Sequence, residues 1–123
     1  MSQSTTLILL PETAYNPGGI DVPPNTIVTG NTYPAASYYL SSQDLQTVSW
    51  SINNFKGTLT IQASLVDTPT TDNDWFTVMN VVYNDPAGTT MNAFNNVFGN
   101  YVWIRAKINN FTQGIVNHVK VSY

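Results

Sequence analysis

The chain has no cysteine, a single histidine, and charge on only 9% of its 123 residues. Without cysteine there is no disulfide, no thiolate nucleophile and no sulfur ligand for a metal. One histidine and scattered aspartates cannot close a zinc shell. Four basic residues, Lys56, Arg105, Lys107 and Lys120, stand against seven acids. No cationic stripe is available to neutralise a run of phosphates, so nucleic acid is not an expected partner. Long apolar runs are scarce as well. Leu7 to Leu10 is a short one with no basic segment before it, which argues against both a secretory signal and a membrane span and for synthesis in a cytoplasm. "LPETA" at 10–14 looks like a sortase signal, yet such signals sit ahead of a C-terminal apolar tail.

A helical period is missing too. "NAFNNVF" (92–98) is too short and too rich in asparagine to count as one. Alternation is present instead. In "LQTVSWSI", Val48, Trp50 and Ile52 point one way and Thr47, Ser49 and Ser51 the other; "TLTIQASL" repeats this with Leu59, Ile61, Ala63 and Leu65. "DWFTVMNVVY", which carries Trp75 and Phe76, "YVWIRAKI" and "GIVNHVKVSY" supply further strands. Many short strands with one apolar face each and no helix to cover them predict two sheets packed face to face. The expected fold is all-β, an antiparallel β-sandwich of jelly-roll or Greek-key type.

Five of the seven prolines fall in the first 34 residues, with Gly18, Gly19 and Gly30. Proline lacks a ladder donor and biases its predecessor to extended geometry. Residues 1–35 therefore read as an extended N-terminal arm with one short strand, and 36–123 as the sandwich domain. The arm either lies along its own domain or reaches a neighbouring subunit. A tether of the second kind could be cut away and leave the sandwich folded.

"INNFKG" at 52–57 recurs as "INNFTQG" at 108–114. Each reads as a hairpin corner: asparagines follow a strand, Phe55 or Phe111 enters the core, and Gly57 or Gly114 takes a positive φ at the reversal. Trp50 and Trp103 then occupy parallel positions in two equivalent hairpins, which suits core packing. With Trp75 and Phe76 these make up the expected structural set.

Chemistry has few footholds. His118, in "VNHVKV", has no Ser, Cys or Asp at triad spacing and reads as a strand histidine. Asp67, Asp72 and Asp74 could offer oxygens to a cation, but the loop lacks the glycine and distal glutamate of an EF-hand and reads as a solvated turn. All the aspartates lie in polar turns, where no carboxyl acquires the raised pKa of a glycosidase acid. "NFT" at 110–112 is a glycosylation sequon only in a secretory setting. No catalytic, cofactor or metal residue is expected. The abundant aromatics could stack on sugar faces, and Tyr38, Tyr39 and Tyr101, with Trp75, are the candidates for a ligand or an interface.

The succession "YYLSSQDLQTVSW", "FKGTLTIQASL", "DWFTV", "GNYVWIRAKI" and "FTQGIVNHVKVSY" resembles small β-sandwich structural proteins of tailed bacteriophages, particularly marine contractile-tailed phages. The likeness covers residues 33–123. It implies a virion component without enzymatic activity that works by assembly with other virion proteins. With the low charge and the arm, it leads to a capsid decoration, neck or tail-associated subunit, assembled in the host cytoplasm as a homo-oligomer such as a trimer and tethered through its arm. The alternative is a carbohydrate-binding module used in host adsorption.

Overall fold

The computed structural model describes residues 6–21, 23–35 and 45–123. Among them the chain is all-β, and every paired strand is antiparallel to its neighbour. Two strands of twenty residues dominate: β5 (Leu45–Ser64) and β8 (Trp103–Ser122). They pair with each other along their whole length, from Thr47 opposite Ser122 to Ser64 opposite Trp103. On the far side of β8 run β1 (Thr6–Leu10), β2 (Thr13–Ala14), β3 (Val28–Thr29) and β4 (Tyr33–Pro34). On the far side of β5 run β6 (Phe76–Tyr83) and β7 (Thr89–Phe98).

A straight strand of twenty residues would span about 63 Å. Phe98 pairs with Leu45 at one end of β5, and Trp103, five residues further on, starts beside Ser64 at the other end. Five residues reach at most about 18 Å. The long strands must therefore be folded in two. Contacts between their ends agree: the Tyr123 hydroxyl, just past the end of β8, donates to the carbonyl of Pro34, which pairs with Trp103 at its start (2.7 Å). The Asn31 amide likewise donates to the Leu9 carbonyl at 2.8 Å, tying the β3–β4 segment to β1.

The fold line runs through the repeated motif. In β5 the buried apolar side chains are Val48, Trp50 and Ile52 before it and Phe55, Leu59, Ile61 and Ala63 after it. Their parity changes from even to odd across the exposed Asn53–Asn54 pair. A one-residue slip would turn the second half inside out; a β-bulge absorbs it, bends the strand, and keeps the apolar face inward on both sides of the bend. Asn54 and Asn110 are the residues that turn, with φ of 51° and 52°, a left-handed geometry that asparagine tolerates better than most side chains. The two bulges lie next to each other, because Lys56 pairs with Gln113 and Thr58 with Asn109. One crease thus crosses both strands.

Inside the crease Phe55 and Phe111 are fully buried with ring centroids 5.4 Å apart, flanked by Tyr83 on Phe55 (5.8 Å) and Tyr15 on Phe111 (5.4 Å). The glycines serve close approach. A Cβ on Gly114 would collide with the Asn53 and Asn54 carbonyls, and one on Gly57 would press on the Asn109 carbonyl and the Phe111 backbone. Each motif's glycine packs against the asparagines of the other.

One expectation is corrected here. "LQTVSWSI" and "TLTIQASL" do not pair as a hairpin but are the two halves of one strand, and the repeated motifs are bulges rather than corners. Of the two alternatives left open for the N-terminal residues, the structure shows the first: β1 to β4 lie along their own domain, paired with β8. Leu9, Leu10 and Ala35 are buried in the common core, because β8 would otherwise expose a second open edge and the inner ends of the fold.

Candidate functional site

The face of β8 turned away from the core carries Trp103, Arg105 and Lys107, alternating with the buried Ile104, Ala106 and Ile108. The loop after β5 folds over this face. It contains Asp67 to Thr71 and a single 3-10 turn at Asp72–Asp74, and it delivers Trp75 beside Arg105. A groove of about 460 Å³ lies between, bounded by Trp103 and Arg105, by Trp75, by the loop residues 67–72, and by Thr32 from the opposite side. That volume is within the range of small-molecule sites.

Arg105 organises the groove. Its side chain is nearly buried; Nε–H donates to Gln62 Oε1 at 2.8 Å, Nη2 donates to Asp72 Oδ1 at 3.2 Å, and the guanidinium lies 4.2 Å from the Trp75 ring centroid. Gln62 is the cross-strand partner of Arg105 in the β5–β8 ladder, so the register itself places this acceptor. A guanidinium over an indole face is attracted by the ring quadrupole. Asp72 is largely exposed, and its ion pair with Arg105 is therefore a weak tie.

The loop has its own clasp. Asp74 Oδ2 accepts from the backbone amides of Thr70 (2.8 Å) and Thr71 (3.1 Å), and these bonds hold its carboxyl below the ordinary value of 3.8. The Trp103 Nε1–H donates to the Asp67 carbonyl at 2.9 Å, pinning the start of the loop to β8. The three aspartates considered for a cation thus have separate tasks, and among the described residues no group of three His, Cys, Asp or Glu is placed to hold a metal.

The residues singled out from sequence divide. Trp50 is core: it is 4% exposed, and its indole N–H donates to the Tyr83 hydroxyl at 2.8 Å. Phe55, Gly57, Phe111 and Gly114 form the crease. Trp103 does not share Trp50's position; it is half-buried on the outer face and lines the groove, as does Trp75. Phe76 is exposed and meets Tyr101 edge-on at 5.7 Å. Tyr101 stands apart from the groove, its hydroxyl donating to the Phe98 carbonyl at 3.0 Å. Tyr38 and Tyr39 lie outside the described residues. His118 is a half-buried strand residue opposite Ser51, its pKa lowered by burial and then by Lys120. Arg105 and Thr32 carried no sequence signal of their own. The alternation of "WIRAK" puts Trp103 and Arg105 on one face, but only the loop crossing above them makes a site.

No protein-family model matches the chain, and no curated protein matches it in sequence. Among solved structures, the K2 cleaved adhesin domain of Lys-gingipain superposes with a TM-score of 0.53 at 9% identity, over 96% of this chain and 88% of that one. At that identity the likeness is one of fold: an antiparallel all-β domain shared over nearly the full length of both.

Proposed function

We propose that this protein is a non-enzymatic recognition module of a tailed-phage virion, and that its Trp75–Trp103–Arg105 groove takes a carbohydrate at the host surface. The observation that carries the reading is the composition of the groove: two tryptophans and a nearly buried, hydrogen-bonded guanidinium beneath a loop of threonines and aspartates. Sugar rings present apolar C–H faces that pack on indoles, and hydroxyls that need donors and acceptors at fixed positions. Arg105 supplies donors, the Asp72 carboxylate supplies acceptors, and the hydroxyls of Thr68, Thr70 and Thr71 supply both. Nothing in the groove pairs a nucleophile with a base, and its two aspartates, Asp67 and Asp72, are exposed, so the site is suited to binding. The structural neighbour is by its name an adhesin domain, and the phage setting rests on the sequence resemblance. We propose that the fold is a sandwich wrapped in jelly-roll fashion, a reading supported by the crease and by the strand orders on its two sides, β1/β2–β8–β5–β7 and β3/β4–β8–β5–β6.

A glycan array probed with the wild-type protein and with Trp75→Ala tests the reading. Selective binding by the wild type, lost in a variant that melts normally, is the expected result; an array without hits overturns it. A second reading, a decoration, neck or tail-associated subunit that works by assembly with other virion proteins, draws support from the low charge and from an unguarded sheet edge.

A further inference from the structure

Sheet edges are usually guarded by charge, proline, bulges or brevity. Among the described residues, β1 is broken by a register shift between Ile8 and Leu10, β2, β3 and β4 are two residues each, and β6 is shifted where it faces Ile61 and Gln62. β7 has none of these guards over Met91–Phe98; its ladder with β5 shifts register only beyond that stretch, between Ile52 and Phe55. It pairs with β5 without interruption from Leu45–Phe98 to Ile52–Met91, and its ten residues, TTMNAFNNVF, contain no charge, proline or glycine. Phe94 and Phe98 on its outer face are 69% and 64% exposed, with the 41%-exposed Leu45 beside Phe98.

We infer that β7 is a self-association edge and that its occupant is β7 of a second copy, paired antiparallel about a two-fold axis through Phe94. The strand is complementary to itself in that register. Residues of even number face outward in both copies, since Phe94 pairs with the outward Ser49 while Ala93 pairs with the inward Trp50. Phe94 then meets Phe94, Asn92 meets Asn96 and Thr90 meets Phe98 on the outside, while Met91 meets Val97 and Ala93 meets Asn95 on the inside. Directly opposed aromatics stabilise a strand pair, amide side chains hydrogen-bond to one another, and no like charges oppose. A charged peptide would find no counter-charge along this strand, whereas an identical neutral one leaves nothing unmatched. Such an interface is closed by one two-fold axis and stops at a dimer, in place of a trimer.

Sedimentation velocity over a micromolar concentration series, with thermal melts alongside, tests the inference. The wild type should shift reversibly from 13.6 kDa to twice that mass. Phe94→Lys and Phe94→Glu, each placing like charges opposite one another, should weaken the dimer about tenfold or more without changing the melt recorded at concentrations where the wild type is monomeric. An equimolar mixture of the two should restore it. A wild type that stays monomeric at high micromolar concentration, variants that dimerise as before, or a mixture that remains monomeric would each overturn the proposal. Trp75→Ala should leave the dimer intact, so failure of the carbohydrate reading and failure of this one are separately visible.

Discussion

Asn54 and Asn110 show how much of the fold depends on single residues. Both hold a left-handed backbone at the crease, where a β-branched side chain is a steric outlier. Asn54→Val should cost roughly 1–3 kcal/mol, while Asn54→Gly should be nearly neutral; denaturant titration of the pair separates backbone strain from loss of the side chain. Phe55 and Phe111 fill the inside of the bend, in contact with each other and with the rings of Tyr83 and Tyr15. Truncating either to alanine should cost on the order of 3–5 kcal/mol, and because the rings are in contact the double variant should cost less than the sum of the two. Additive losses would show that the two rings do not form one cluster.

At the scale of elements, the loop between β5 and β6 is the part that makes a site out of a sheet face. Its clasp depends on an ionised Asp74. A carboxyl whose folded pKa is depressed contributes stability above its unfolded value, and that contribution is lost as the pH falls through the folded value. The amide resonances of Thr70 and Thr71 should therefore be constant near neutrality and titrate together below pH 3.8; a transition well above that value would contradict the clasp. The strands themselves were legible, because alternation is local: Val48, Trp50, Ile52 and Leu59, Ile61, Ala63 can be counted along the chain. The crease was not. Ile52 and Phe55 are three apart where alternation requires two, which is the mark of an inserted residue, but Asn-Asn near a glycine looks the same in a turn as in a bulge. Only the pairing partner, Ile115 for Asn53 and Gln113 for Lys56, distinguishes the two, and pairing is a non-local property. The groove was hidden for the same reason: Trp75 lies 28 positions from Trp103 in the chain, and nothing local says that the loop folds over β8.

For the whole molecule, a folded-over sheet has no removable parts. The N-terminal segment covers one edge of β8 and contributes Leu9 and Leu10 to the core, each worth about 2–5 kcal/mol on truncation to alanine. Deleting residues 1–15 should therefore abolish cooperative unfolding by calorimetry, whereas removal of a mere tether would leave the melt unchanged. The same wrapping buries Trp50 inside while leaving Trp75 and Trp103 on the outer face of one half. The three indole N–H signals of a 15N-labelled sample therefore report directly on where a ligand sits. Titration with a glycan selected from the array should shift the Trp75 and Trp103 indole signals together and leave that of Trp50 in place. Binding that moves neither groove indole, or that moves Trp50 first, would contradict the account.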